Sequence, residues 1–174
     1  ENVLHDSGTY SYNPEDITLI DYFDGPTAHN GPFLRGQAFV KRLGRFLYLE
    51  WPSAQVTETI GEDDVEITAH LKNSSGFTLA RKIRLIQNRI EITDNGPQGV
   101  GWGVSFNVPS MLTILNSLSP LALAPGVLLK CDQPLSVEPA LYSKRYLDKL
   151  DGTRIIVSGT AVGVTTHILI QDLS

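Results

Sequence analysis

Alternation of apolar and polar side chains constrains the fold of this chain most. In residues 65–71, VEITAHL, the odd positions are apolar and the even positions are polar. Successive side chains of a β-strand point to opposite faces of the sheet, so this pattern predicts a strand with one buried face. On that interpretation the four apolar side chains are buried and His70 faces solvent.

A β-hairpin is predicted in residues 77–93, with a two-residue turn at Gln87 and Asn88. Asparagine tolerates the left-handed conformation that a tight turn needs, so Asn88 is expected to adopt it. The register places Arg84 opposite Glu91 on the polar face. A cross-strand pair of this kind contributes about 0.2–1 kcal/mol.

Short strands bounded by turn residues are predicted along the rest of the chain. They lie at 39–42, 45–50, 102–108, 127–131, 154–159 and 164–170, and helical turns are expected only at 110–117 and 143–149. Strands at intervals of about ten residues favour antiparallel pairing, because parallel strands need longer crossover connections. The expected fold is therefore all-β, an antiparallel β-sandwich with little helix, in a single domain over residues 1–174.

Composition excludes several classes of protein. The formal net charge of −5 argues against nucleic acid as a partner, because nucleic acids favour basic faces. The longest apolar stretch, residues 118–129, is interrupted by Ser, Pro and Gly, so no membrane span is expected. The single cysteine, Cys131, excludes an internal disulfide. It has no cationic neighbours in the sequence, so it is expected to be a buried structural thiol.

One segment is locally basic. Four positive charges fall within eleven residues, at Arg35, Lys41, Arg42 and Arg45. Such a cluster can meet a polyanion at one edge of an acidic protein. A solvated strand face accounts for the same residues, and the sequence leaves both interpretations open.

Two segments near the N-terminus hold candidate metal ligands. Residues 6–12 are DSGTYSY and residues 27–30 are TAHN. The carboxylate of Asp6 and the imidazole of His29 are both good ligands for zinc, so the two side chains can converge on one ion. The alternatives are a turn carboxylate that binds backbone N–H groups at Asp6, and a loop histidine bonded to backbone at His29. Two ligands alone do not hold a zinc ion.

These two segments resemble a pattern of the heparinase II/III-like polysaccharide lyases. In that family a D-x-G-x-Y-x-Y segment precedes an A-H-N triplet, and a long run of antiparallel strands follows. Residues 80–94 and 141–143 are similar to later parts of the same domain. The resemblance covers most of the chain and implies the C-terminal β-sheet domain of such a lyase, in which a large two-sheet supersandwich is one form of the fold.

The pattern of the family is not complete in this chain. The third metal ligand of the family lies in an H-x-H segment upstream of D-x-G, which these 174 residues do not contain. After A-H-N, the sequence GPFLRG at residues 31–36 replaces the small and β-branched residues of the family. The first strand after A-H-N is therefore expected to be displaced or shortened.

The resemblance implies a parent protein of defined activity. An α/α toroid would precede this domain, and the whole would cleave uronate-containing acidic polysaccharide by β-elimination in the bacterial periplasm or outside the cell. Asp6 and His29 match two ligands of a zinc ion. Elimination needs neutralisation of the uronate carboxylate, a base and an acid. Tyr12 is the candidate catalytic phenol because it closes the matched motif, and its alternative is a packing residue with a hydrogen-bonded hydroxyl.

Other classes of function fit the same residues. A non-catalytic carbohydrate-binding or assembly module would use the β-surface without chemistry, and a structural sandwich would use residues 6–8 and 28–30 only as loops. On any of these interpretations the chain alone is expected to be inactive. The sequence upstream of Glu1 separates them, because only the lyase requires an H-x-H strand and a long helical region there.

Overall fold

Two antiparallel sheets face each other in the computed structural model of the chain, which describes residues 2–44, 47–109, 120–161 and 163–171. An α-helix, α1 (Thr18–Phe23), and a 3-10 helix (Pro26–Ala28) precede the sheets. The strands are β1 (Pro32–Leu34), β2 (Lys41–Arg42), β3 (Tyr48–Leu49), β4 (Ser53–Ile60), β5 (Asp64–Lys72), β6 (Thr78–Ile86), β7 (Arg89–Asn95), β8 (Trp102–Val108), β9 (Leu121–Ala124), β10 (Val127–Cys131), β11 (Leu135–Tyr142), β12 (Leu150–Ser158) and β13 (Val164–Ile170).

The smaller sheet has the order β1-β8-β12-β11, and the larger sheet has the order β4-β5-β6-β7-β13-β10-β9. A separate two-stranded ribbon joins β2 to β3. Every strand pair in the described residues is antiparallel. The all-β antiparallel sandwich expected from the sequence is confirmed.

Strand β8 lies at the centre of the smaller sheet and is buried along its whole length. Val104 and Phe106, both 0% exposed, belong to the hydrophobic core between the sheets. Ser105 and Asn107 point the other way and bond to residues 27–31. Because both faces of β8 are covered, the strand lacks a solvent-facing side. The remaining core residues come mainly from β9, β10, β12 and β13.

The larger sheet extends beyond the smaller one. β1, an edge strand of the smaller sheet, contacts β6, and the side chains of β4 are exposed from Ser53 to Ile60. The prediction that the apolar face of β5 is buried is therefore wrong in degree, since Val65 is only half-buried and Ile67 remains 37% exposed. The alternation identified the apolar face, but the area covered depends on where the other sheet ends. His70 is exposed, as predicted.

Three predicted strands coincide with β8, β10 and β13. The predicted strand at 39–42 shrinks to the two residues of β2, whereas the one at 154–159 extends into the nine residues of β12. Arg45 and residue 46, in the predicted strand at 45–50, lie outside the described residues. The strand expected after A-H-N is β1, which is only three residues long. The structure adds β4, β9 and β11, which the sequence analysis did not predict.

Helix is scarce, and it is not where the sequence predicted it. The helical prediction at 143–149 is wrong, because the backbone there bends and turns. The Ser143 hydroxyl donates to Arg145 O at 2.7 Å, a local bond that competes with helix formation. The prediction at 110–117 lies outside the described residues. Within the described part, no helix is long and apolar enough to cross a membrane.

The predicted hairpin is confirmed in register. Arg84 lies opposite Glu91, and β6 and β7 are joined by the two-residue turn. The positive φ falls on Gln87, at 42°, and not on Asn88. Arg84 Nε donates to Asp64 Oδ2 on β5 at 2.6 Å, so its ion-pair partner lies on the other neighbouring strand.

Cys131 is buried in β10, with 7% of its surface exposed. Burial raises the pKa of the thiol above its ordinary value, and the nearby Asp132 carboxylate adds to that rise. A thiol of this kind stays protonated and shielded at neutral pH. The prediction of a buried structural thiol is confirmed.

Candidate functional site

The first half of the site is a tight turn at residues 6–8. Asp6 Oδ1 accepts a hydrogen bond from the Gly8 N–H at 2.8 Å. Gly8 has a φ of 73°, and a Cβ at this position would lie 2.3 Å from Ser143 O. Both the left-handed conformation and the close approach of the 143 backbone require glycine. The glycine of D-x-G is therefore explained by the backbone geometry, and it aims the Asp6 carboxylate.

Backbone hydrogen bonds bring His29 to this turn. The Ser7 N–H donates to Ala28 O at 2.9 Å, and the Ser143 N–H donates to Ser7 O at 2.8 Å. Ser7 is completely buried between these two neighbours. As a result, His29 Nδ1 lies 2.6 Å from Asp6 Oδ2, with about half of each side chain exposed. The prediction that these two side chains meet is confirmed, whereas their role as metal ligands stays a prediction.

Each residue of the A-H-N triplet has a separate structural role. Ala28 is completely buried, so its side chain packs inside the fold. His29 O accepts from the Ser105 hydroxyl at 2.7 Å, and this bond fixes the backbone from which the imidazole projects. Asn30 Oδ1 accepts from the Asn107 N–H at 2.6 Å, which satisfies a backbone donor of β8. The triplet is thus bound along the outer face of the smaller sheet.

A buried ion pair supports the same segment from the larger sheet. Arg81 Nε and Nη2 donate to the two carboxylate oxygens of Asp94 at 2.7 and 2.8 Å, and Arg81 Nη1 donates to Asn30 O at 2.6 Å. Asp94 is completely buried. Burial raises the pKa of this carboxyl group, and the contact with Arg81 opposes the rise. The pair therefore links β6 and β7 to the residue that follows His29.

Sequence reasoning missed this pair, although a signal was present. Arg81 interrupts the apolar positions of β6, and Asp94 interrupts those of β7. The two interruptions lie at opposed register positions of neighbouring strands. Opposite charges at facing positions within an apolar pattern predict a buried pair, because an isolated buried charge is too costly.

A buried arginine attaches α1 to the smaller sheet. Arg154 is 6% exposed, and its Nη2 donates to the Tyr22 hydroxyl at 2.9 Å. Its other bonds reach Asn107 Oδ1 at 3.2 Å and Glu138 Oε1 at 3.3 Å. The Tyr22 hydroxyl also accepts from the Leu141 N–H at 2.6 Å. Tyr22 therefore has a structural role, with its hydroxyl bonded inside the fold.

Three tyrosines, Tyr10, Tyr12 and Tyr22, lie in or near the D-x-G-x-Y-x-Y segment, and Tyr12 is the one exposed to solvent. Tyr10 stacks on Phe23 with ring centroids 6.0 Å apart, and Tyr22 is held by Arg154. Tyr12 is 57% exposed. Its ring lies 5.9 Å from that of Tyr146. The catalytic assignment of Tyr12 stays a prediction.

The basic residues are engaged to different degrees. Arg42 lies between Asp21 and Asp24 of the α1 region, bonding to the first and donating to the second at 2.7 Å. Two acidic partners offset its charge, so Arg42 adds little positive potential to the surface.

The other three basic residues differ from Arg42. Arg35 Nη2 donates to the neutral Ser158 hydroxyl at 3.1 Å, so its charge is not offset there. Lys41 is exposed on β2. Arg45 lies outside the described residues. Their role in substrate binding stays a prediction.

The donors at Asp6 and His29 fit zinc in kind but not in number. A carboxylate oxygen and an imidazole nitrogen are ordinary zinc ligands, and three or four protein donors are usual. Among the described residues, no group of three or more His, Cys, Asp or Glu side chains is placed to hold a metal ion.

No protein-family model matches the chain, and no curated protein sequence matches it. Its fold is similar to that of a heparinase III with methylated lysines, with a TM-score of 0.77 at 13% identity over 100% of this chain. Another heparinase III structure matches 98% of this chain with a TM-score of 0.72 at 14% identity. Heparan sulfate lyase HepC from Pedobacter heparinus matches 97% with a TM-score of 0.70 at 14% identity.

The chain spans 28% of the length of each of these solved chains. At such low identity the similarity is one of fold. The chain thus has the β-sandwich fold of a part of heparinase III, and the resemblance expected from the two motifs is confirmed at the level of fold.

Proposed function

We propose that this chain is the β-domain of a bacterial lyase that cleaves uronate-containing acidic polysaccharide by β-elimination. The observation that carries the proposal is the contact between Asp6 and His29, made by two motifs of that family. The similarity of the whole fold to part of heparinase III supports it. The proposal includes an α/α toroid upstream in the same protein and a location in the periplasm or outside the cell.

Zinc is part of this proposal. Asp6 and His29 would supply two ligands, and a donor from the upstream part of the parent would complete the site. Bound zinc would add its binding free energy to the stability of this region. The described residues already do the positioning, since Gly8 aims the carboxylate and Ser105 fixes the backbone of His29.

The reaction divides its tasks among several groups. Removal of the proton beside the uronate carboxylate requires that a cationic group offset the carboxylate charge. Arg35 and Lys41 are the candidate cations of this chain for binding the acidic polymer. The Tyr12 hydroxyl is the candidate in this chain for holding or moving the proton. The remaining groups would come from the toroid, so this chain alone should not cleave the polysaccharide.

The decisive test uses the full-length parent protein. It should convert heparan sulfate, or another uronate polymer, to an unsaturated product that is followed by ultraviolet absorbance. Asp6→Ala and His29→Ala should each lower the rate and the zinc affinity by at least about tenfold. His70→Ala removes an exposed histidine of β5 and should change neither. By metal analysis, the parent should hold one zinc per chain and the 174-residue chain little or none.

Two results would contradict the proposal. Equal activity and zinc content in His29→Ala and in the parent would remove the assigned role of the pair. Binding of uronate polymers by the parent without any cleavage would favour the second function, a non-catalytic carbohydrate-binding module.

The basic segment gives a separate prediction about substrate charge. Binding of a sulfated oligosaccharide to the parent should weaken as salt rises, because exposed charges are screened over about 8–10 Å at ordinary ionic strength. Arg35→Ala and Lys41→Ala should weaken binding and reduce its salt dependence, measured by isothermal titration at two salt concentrations. Arg89→Ala, an exposed arginine in the β6–β7 turn region, is the matched control. An equal loss of affinity in Arg89→Ala would mean that the overall charge of the protein, and not the basic segment, causes the effect.

A further inference from the structure

Four aromatic side chains form two pairs on the surface near α1. The rings of Tyr12 and Tyr146 lie 5.9 Å apart, and those of Tyr48 and Trp51 lie 5.3 Å apart. Tyr12, Tyr146 and Trp51 are 57%, 56% and 74% exposed. Large rings exposed in this way leave apolar surface in water, and clustered exposed apolar surface marks binding sites.

One ring of each pair, Tyr12 and Tyr48, lines the same groove, and Tyr146 and Trp51 lie beside these rings. A depression of about 180 Å³ is lined by Tyr12, Phe23, Asp24 and Tyr48. A neighbouring depression of about 360 Å³ shares Asp24 and Tyr48 with it and includes Arg42. We call the two together the aromatic groove. Their combined size lies in the range of about 300–1,000 Å³ that ligand pockets occupy.

Polar groups at the floor of the groove are pre-organised. Arg42 donates to Asp24 at 2.7 Å and also bonds to Asp21, so all three side chains are held in place. These residues carry two negative charges and one positive charge. The floor is thus net acidic, which disfavours a carboxylate or sulfate group beside Asp24. Carboxylate oxygens on such a floor can instead accept hydrogen bonds from hydroxyl groups.

We propose that the aromatic groove binds an uncharged pyranose unit of a glycan chain. The apolar C–H face of the sugar would lie on the rings of Tyr12 and Tyr48, which line the groove, and extend over Trp51, whose ring contacts that of Tyr48. The electron-rich face of an aromatic ring attracts positively polarised hydrogens. Hydroxyl groups of the sugar would donate to Asp24. The choice of a glycan rests on the proposed function, and the choice of an uncharged unit rests on the acidic floor. The groove is a second binding surface that shares Arg42 with the basic segment.

The test uses the 174-residue chain and an oligomer of N-acetylglucosamine, which is an uncharged pyranose polymer. Binding should quench the fluorescence of Trp51, since the other tryptophan, Trp102, is only 4% exposed. By isothermal titration, which does not need the Trp51 signal, Trp51→Ala and Tyr12→Ala should each weaken binding about tenfold or more, and raised salt should leave binding unchanged. Ile60→Ala removes a side chain that is also highly exposed, at 73%, but lies on β4, and it should bind as the original chain does.

Aromatic replacements separate stacking from other roles. Trp51→Phe and Tyr12→Phe keep a flat ring and should retain most of the affinity. In the parent enzyme, Tyr12→Phe removes only the hydroxyl, so a loss of turnover with retained binding would assign the proton-moving role to that hydroxyl. Circular dichroism of each variant confirms that it is folded.

Failure of the groove and failure of the lyase proposal can be told apart. No binding of the oligomer by the folded chain, or equal binding by Trp51→Ala, Tyr12→Ala and the original chain, would overturn the groove proposal whatever the activity of the parent. Oligomer binding that depends on Trp51, together with a parent that does not cleave uronate polymers, would retain the groove and reject the lyase.

Discussion

An Arg81→Met variant should lose about 3–5 kcal/mol of unfolding free energy, because removal of one partner of a buried ion pair leaves the other charge uncompensated. Asp94 is completely buried and receives two hydrogen bonds from Arg81. Methionine fills similar space but supplies no charge and no donor. The variant also loses the bond to Asn30 O, so the environment of His29 should change with it.

The loss in Arg81→Met should depend on pH. Burial already raises the pKa of Asp94, and without the opposing contact from Arg81 the pKa should rise further. A carboxyl group with a raised folded-state pKa takes up a proton in the native state before it does so in the unfolded state, so the native state gains stability as pH falls. The deficit of the variant should therefore be smaller at about pH 5 than at neutral pH, and should level off below about pH 4.

Urea unfolding at the two pH values measures both effects. Lys82→Met is the matched control, since Lys82 is the next residue and pairs with Glu66 at 3.4 Å on the exposed face. It should cost less than about 1 kcal/mol. The ring signals of His29 in an NMR spectrum should move in Arg81→Met and not in Lys82→Met. Equal losses in the two variants would mean that the Arg81 pair contributes no more than a surface pair.

Phe106→Ala should also cost about 3–5 kcal/mol, because it empties a large site at the centre of the core. Phe106 is completely buried on the middle strand of the smaller sheet and belongs to the cluster that both sheets form. The surrounding strands are held by hydrogen bonds on both sides, so they cannot collapse fully into the space. The Arg81 guanidinium lies 5.7 Å from the Phe106 ring, so the two variants should not be additive.

Val56→Ala on β4 is the control for the core variant. Val56 is 66% exposed, although it lies in a strand of the larger sheet. Its replacement should change the free energy of unfolding by no more than about 0.5 kcal/mol. If Val56→Ala destabilised the chain as strongly as Phe106→Ala, the face of β4 would be buried in solution, and the extent of the smaller sheet would need revision.

Local patterns located many elements because they act over a few residues. The two-residue turn at 87–88 fixes the register of β6 and β7, and with it the facing positions of Arg84 and Glu91. The same local rules failed where distant groups decide the outcome. The turn at 143–149 is held by the contact of Ser143 with Ser7 in addition to its local bond to Arg145, and α1 is held by the contact of Tyr22 with Arg154.

In the candidate site, too, some residues could be predicted from the sequence and others were identified only from the tertiary structure. Motif resemblance selected Asp6 and His29, and the structure brings them to 2.6 Å. Motif resemblance did not select Ser105, Asn107 or Arg81, which hold the A-H-N segment. In the sequence these three residues look like ordinary strand residues.

By itself the sequence determined the fold class, the hairpin register, the buried thiol of Cys131 and the two motifs that meet. These follow from side-chain alternation, turn chemistry and motif order, all of which are local. Tertiary structure alone decided which apolar faces are covered, where Arg81 and Arg154 find their partners, and that Tyr12 lies in a groove with Tyr48. Those outcomes depend on which strands become neighbours. The free energy of burying a charge or a ring is set by the groups that surround it in space.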